Sequence, residues 1–299
     1  MAIRLKSKLP KMLGVLASAR MDDDEKVIDE LVGKIGSGIC LTTKQLIIVR
    51  YGFTATSRLW GRQAFAYRRE SIECIQPMFR FPSTFAVLAG SSAEEPIYGV
   101  RVRLKDRPIA QGEGLFYINL AKAGRLSRFI CTCYRELWRD GQRVWPQFMT
   151  QPSDISFLPG ELGEIVNEQL KPSERIIDEI HTREGEGAVL TGERLIVVRS
   201  GWLRTSTLGS YTFDEVQLSR LKEVCIGRYW SKSFWTLAWE ALLEKRTYDI
   251  PLQLIAQAGD PYPDSYSPMV SRYSAKNLTA LANFFSATNA VLIEMHGRD

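Results

Sequence analysis

Two histidines are all that this 299-residue chain offers as neutral-pH proton carriers, His181 within a predicted strand and His296 near the last residue. A serine or cysteine nucleophile would therefore have to be activated without a histidine base, which removes the commonest route to hydrolytic chemistry. Metal ligation fares no better. Cys131 and Cys133 lie two apart on a predicted helix, so they point in different directions, and no second pair stands at zinc-finger spacing. They read as half-buried helix cysteines. Asp22-Asp23-Asp24 reads as a solvated acidic turn, and Gly33 to Gly38 joins two strands, unlike a phosphate loop, which joins strand to helix. The expectation is a protein that is not an enzyme and takes no metal and no cofactor.

Fixed charge is the stronger signal. In Val100-Arg-Val-Arg-Leu-Lys-Asp-Arg107 the apolar residues alternate with Arg101, Arg103, Lys105 and Arg107. On a strand that places the four cations on one face, about 7 Å apart, with the aliphatic residues toward a core. Such a row suits phosphates or carboxylates, or it protects an edge strand by charge. Arg58, Arg62, Arg68 and Arg69 add to the same basic region. A second cluster is aromatic: Tyr229, Trp230, Phe234, Trp235 and Trp239 fall on both parities of one segment, so one core face cannot take every ring. Tyr229, Trp230, Trp235 and Trp239 are the candidate interface residues, since exposed aromatic clusters mark contact surfaces.

The elements that must position these residues are written twice. Glu25-Lys-Val-Ile-Asp-Glu30 returns as Glu174-Arg-Ile-Ile-Asp-Glu179, and Cys40-Leu-Thr-Thr-Lys-Gln-Leu-Ile-Ile-Val-Arg50 returns as Val189-Leu-Thr-Gly-Glu-Arg-Leu-Ile-Val-Val-Arg199. The offset is 149 residues throughout, a period that marks a duplicated domain. Residues 1–140 form the first copy, 141–157 a linker with two prolines, and 158–299 the second copy. Each copy opens with a short helix, at 13–20 and 160–169, continues in strands with a Leu-Thr hairpin, and closes with an amphipathic helix, at 120–139 and 274–295. Further strands are expected at 65–69, 72–79, 84–88, 97–105 and 115–119. The basic row belongs to the first copy alone, because its counterpart, Thr247 to Leu254, is not basic.

Composition bounds the setting. With 45% hydrophobic residues the chain supports two cores of about 100 to 150 residues each. Five cysteines, an odd number, argue for a reducing cytoplasmic compartment. No apolar run was expected to reach the roughly 20 residues of a membrane helix. The basic N-terminus with Ala17-Ser18-Ala19 imitates a signal peptide, but Leu9-Pro10 returns mid-chain as Leu158-Pro159, so the segment reads as part of the repeated domain. Charge separates the copies: residues 1–150 carry 24 Lys and Arg against 14 Asp and Glu, and residues 151–299 carry 15 against 20, net +10 and −5.

The Glu-x-Ile, Gly-x-x-Leu-Thr-x-x-x-Leu-Ile-x-Val pattern, Ile72 and Ile75, and the closing helix together resemble the pleckstrin-homology-like superfold, nearest to its bacterial PH-like and GRAM-like members. Their signature carries an arginine where the second copy has Arg194 and the first has Gln45. The resemblance implies a mainly β, α+β class: two half-open barrels of about seven antiparallel strands, each plugged by its C-terminal helix. It also implies binding. Headgroup recognition at the superfold's first turn finds only Lys34 in one copy, and Arg183 among Glu184 and Glu186 in the other. The leading expectation is a protein partner or self-association. Peripheral binding of an anionic membrane from the cytoplasmic side is the first alternative and an enzyme of unrecognised type the second; nucleic acid is disfavoured by the small overall charge.

Overall fold

The computed structural model describes residues 6–33, 36–52, 61–80, 97–106, 114–119, 122–142, 152–182, 185–200, 211–226, 247–249, 252–257 and 272–297. They are mainly β, with antiparallel sheets and helices, an α+β class. The chain divides into two compact units, one from the described residues up to Val144 and one from those after Trp145.

Unit 1 begins with helix α1 (Lys11–Ser18), followed by β1 (Val27–Val32), β2 (Ser37–Thr42), β3 (Gln45–Gly52) and β4 (Gly61–Arg68), which pair in sequence order. A 3₁₀ turn (Arg69–Ser71) leads to β5 (Ile72–Arg80), β6 (Ile97–Leu104) and β7 (Leu115–Asn119), a second sheet ordered β5-β6-β7, and helix α2 (Ala123–Arg139) follows. The two central strands of the first sheet, β2 and β3, are buried on both faces. Cys40, Ile47 and Val49 pack under Leu9, Leu13 and Ala17 of the α1 region, while the opposite parity, Ile39, Leu41, Leu46 and Ile48, is equally buried. That is why β3 reads as an unbroken apolar run. Helix α2 buries Leu126, Phe129, Ile130, Cys133, Tyr134 and Leu137, the face that the sequence period selects, and packs on β1, β5 and β7. Each such side chain contributes up to about 1.5–3 kcal/mol.

Unit 2 repeats the N-terminal helix, the four-stranded sheet and the closing helix. Helix α3 (Glu161–Gln169) precedes β8 (Ile176–His181), β9 (Glu186–Thr191), β10 (Arg194–Ser200) and β11 (Tyr211–Gln217), again paired in order. A 3₁₀ turn (Leu218–Arg220), β12 (Leu221–Ile226), β13 (Thr247–Asp249), β14 (Leu252–Ala256) and β15 (Arg272–Ser274) lead to helix α4 (Ala275–His296). Strand β14 pairs with β12 and β13 with β15. β-Bulges fall between Val27 and Asp29, Ile72 and Cys74, Ile176 and Asp178, and Leu221 and Glu223, so both bulges of unit 1 recur at the 149-residue offset. Bulges are built features, and their recurrence is structural evidence of one duplicated design.

The paired glycines have separate duties. Gly36 and Gly185 take φ of 61° and 75°, which L side chains rarely adopt. Gly38 and Gly187 instead make room: a Cβ there would lie 2.9 Å from Leu9 Cδ1 and 2.7 Å from Leu158 Cδ1. The Leu-Pro dipeptide before each N-terminal helix thus seats its leucine on the second glycine of the turn.

Three expectations change. Cys131 and Cys133, read as half-buried, are both buried at 2% and 0% exposure, because α2 lies deeper than one apolar stripe suggests. Arg69, counted among the surface cations, is 6% exposed and begins the 3₁₀ turn; strand β4 ends before it. Residues 278–296 of α4 are apolar and long enough, by composition alone, to cross a membrane. Their burial, including Phe284, Phe285 and Leu292, and their packing on β8 and β12 make α4 a core helix of unit 2.

Candidate functional site

Strand β6 delivers the basic row as its alternation requires. Val100, Val102 and Leu104 are buried, opposite Pro77, Ile75 and Ile72 on β5. Arg101 and Lys105 are exposed and Arg103 is half-buried on the other face. Lys105 Nζ donates to the Glu70 carbonyl at 2.8 Å, which holds its stem along the 3₁₀ turn. Arg103 stands opposite Cys74, whose thiol is pushed up to about 11 by burial while the Arg103 charge pulls it down. Beside the cations the same face carries Met78, Leu115 and Tyr117, all half-buried, with Leu115 directly opposite Arg101. Gly99 is the gap that Tyr117 fills: a Cβ there would come within 2.4 Å of Tyr117 Cδ1. Arg107 lies outside the described residues, as do Arg58, Tyr229, Trp230, Trp235 and Trp239, so their expected roles stay with the sequence.

Unit 2 presents the opposite sign on a different element. Glu161, Glu164 and Glu168 are exposed along α3, at i, i+3 and i+7, while Leu162, Ile165 and Val166 turn inward. The strap before α3 is held beside it, since Ser156 N–H donates to Asn167 Oδ1 at 2.6 Å and Phe157 N–H to the Glu179 carboxylate at 2.8 Å. Its backbone is fixed and its apolar side chains point outward: Ile155 is 54% and Phe157 72% exposed. At the matching positions of unit 1 stand Lys6, Lys8, Met12, Val15 and Ala19, so this face has diverged completely. Sequence reasoning did not single out the acidic row, since three glutamates on one helix face also suit an ordinary solvated helix. Its spacing on a predicted helix was the available signal.

The polar residues that the copies share are spent inside each unit. Thr191 contacts the Glu174 carboxylate at 2.7 Å and accepts the Arg194 N–H, and Arg194 grips the same carboxylate at 2.9 and 2.8 Å. Arg194 also donates to the Gln169 carbonyl at the end of α3 and bonds Glu215. Burial alone would raise Glu174, but the Arg194, Thr191 and Lys171 N–H donors hold it down at about 2. In unit 1 Thr42 contacts Glu25, and Gln45 Nε2 reaches Glu25 at 2.9 Å and the Arg20 carbonyl at 2.7 Å. The signature arginine is therefore a clamp between the hairpin and the N-terminal helix, with no part in an exposed site. Glu30 and Glu179 likewise tie the incoming strap, through Ser7 and Ser156, both at 2.8 Å.

Helix attachment has diverged inside as well. Tyr134 donates to the Ile75 carbonyl at 2.7 Å; in unit 2 Asn289 bonds both the N–H and the carbonyl of Val224, each at 2.9 Å. Arg69 bonds Glu136, Asp140 and the carbonyls of Thr42 and Thr43, whereas its counterpart Leu218 is an apolar residue and fully buried. His181 is an exposed strand end, and His296, the last residue of α4, contacts the Leu221 carbonyl of β12 at 2.7 Å. Asp22 and Asp24 are exposed and pair with Lys44. Among the described residues no three His, Cys, Asp or Glu side chains gather as a metal site, and the five cysteines are buried free thiols. Compared with protein families, curated proteins and solved structures, the chain matches none.

Proposed function

We propose that the chain is a non-enzymatic interaction protein of two pleckstrin-homology-like domains that binds protein, including further copies of itself, in the reducing interior of a bacterial cell. The four-stranded sheet paired in sequence order and the closing helix of each unit support the superfold reading, and five buried free thiols support the compartment. The observation that carries the function is the division of labour among polar residues. The pairs common to both units, Glu25 with Thr42 and Glu174 with Thr191, Glu30 with Ser7 and Glu179 with Ser156, make internal bonds, while the cationic row of β6 and the acidic row of α3, each present in one unit only, face outward.

A lipid surface is the second reading, favoured by Arg101 and Lys105 on an open face. It is weakened at the N-terminus, where Lys6 donates to the Asp22 and Asp23 carbonyls and Lys44 pairs with Asp24. Light scattering over a concentration series, together with co-sedimentation with phosphatidylserine vesicles, decides between them. The protein reading expects mass that rises with concentration and no vesicle pelleting. A chain that stays monomeric at low salt and pellets with vesicles would overturn it.

A further inference from the structure

Resting on that reading, we propose that the partner is a second copy of this chain and that the contact joins two particular, unlike faces: the β6 face of one copy and the α3 face of the next. Both faces set accessible apolar side chains beside a row of charge, and the two rows are of opposite sign, so apolar burial and charge complementarity can act in one contact. On the first, Arg101, Arg103 and Lys105 run beside Met78, Leu115 and Tyr117. On the second, Glu161, Glu164 and Glu168 run beside Ile155 and Phe157.

The dimensions agree. Three alternate residues on a strand span about 13 Å, and seven residues along a helix span about 10 Å, so three cations can meet three carboxylates with side chains of ordinary reach. The apolar components also correspond. Phe157 and Ile155 are exposed by a strap whose backbone is hydrogen-bonded in place, so little ordering is required when they pack. Tyr117 and Leu115 lie on one edge of the cationic row and supply a matching apolar strip.

Unlike faces make a heterologous contact. A docked pair leaves one face of each kind unused, so association continues head to tail until a ring closes. The net charges of +10 and −5 in the two halves of the sequence orient the encounter in the same sense and make it sensitive to salt.

Sedimentation velocity of the full chain and two charge-reversed variants tests this. The wild type is expected to grow beyond a dimer with concentration at low ionic strength and to dissociate in high salt. Arg101→Glu/Arg103→Glu and Glu161→Lys/Glu164→Lys/Glu168→Lys should each weaken association by about tenfold or more, because each brings like charges together. An equimolar mixture of the two variants should recover it, since the reversed rows then meet each other. Phe157→Ala, which leaves charge untouched, should weaken association as well. All the substituted residues except Arg103 are exposed, and unchanged circular dichroism confirms that the variants fold. Association that ignores both reversals, or losses that mixing does not restore, would overturn these surfaces while leaving self-association standing. A wild type that is monomeric throughout would overturn both, and salt-sensitive pelleting with anionic vesicles would then make lipid the occupant of the β6 row.

Discussion

Replacing Arg194 by alanine removes the cation from a carboxylate whose side chain is 1% exposed. Glu174 would keep only the Thr191 hydroxyl at 2.7 Å and the Lys171 N–H at 3.2 Å, and the Gln169 carbonyl at the end of α3 would lose its donor. Breaking a buried pair by deleting one partner costs about 3–5 kcal/mol, because the remaining charge is stranded. Arg194→Gln should cost much less, about 1–2 kcal/mol, since Gln45 shows that an amide at this position reaches both the carboxylate and the helix-end carbonyl. The pH dependence follows from the depressed carboxyl. Held near 2 against an ordinary 4.5, Glu174 contributes stability above about pH 4.5 that is lost as pH falls toward 2. In the alanine variant that contribution disappears, so the difference from wild type should shrink across this acid window. Urea titration read by hydrogen exchange on β9 and β10 peptides isolates unit 2. A loss under about 1 kcal/mol, the size of an exposed pair, or a glutamine variant as weak as the alanine one, would refute the clamp.

Other perturbations follow from the same comparison of units. Arg69→Leu alone should destabilise unit 1 by about 1–3 kcal/mol, because Asp140 and the Thr42 and Thr43 carbonyls lose their donor while Glu136 keeps only Arg139; Arg69→Leu/Glu136→Val/Asp140→Met, which installs the unit 2 residues Leu218, Val291 and Met295 once the closing helices are aligned at an offset of 155, should recover most of it in thermal unfolding. Gly187→Ala should loosen α3 by about 1–3 kcal/mol, read as faster proteolysis ahead of β8, because its Cβ would meet Leu158. Asp178 is raised to about 6 by burial, although the Glu179 N–H favours its charged form. A raised carboxyl gives stability that falls as pH rises from its ordinary 3.8 through 6, so Asp178→Asn should stabilise unit 2 at neutral pH and flatten that slope in denaturant titrations.

Much of this architecture was readable because the repeat and the side-chain periods act over short distances. The alternation at Val100 to Leu104 and the helical face of Leu126 to Leu137 survive intact, since each depends only on the geometry of its own element. Arg69 was misread for the opposite reason. Its carboxylate partners, Glu136 and Asp140, lie 67 and 71 residues away at the C-terminal end of α2, and nothing local announces them. Arg194 looked like a signature residue, and its clamp on Glu174 and Gln169 became visible only when the helix and hairpin were set side by side. The acidic face of α3 was legible at i, i+3 and i+7, but its meaning depends on Ile155 and Phe157 beside it, which a tertiary bond between Ser156 and Asn167 brings there.

The central claim is that the charged rows carried by one unit only, on β6 and on α3, do the binding, while the carboxylates and glycines that both units share serve the fold. Thermal unfolding and sedimentation measured together on one panel test it most directly: Glu25→Ala, Glu174→Ala and Gly38→Ala against the charge reversals at Arg101/Arg103 and Glu161/Glu164/Glu168. The account predicts that the first group lowers the unfolding midpoint while the folded protein still associates, and that the second abolishes association with the midpoint unmoved. Reversals that lower the midpoint as far as Glu174→Ala does, or a folded Glu174→Ala variant that no longer associates, would contradict it.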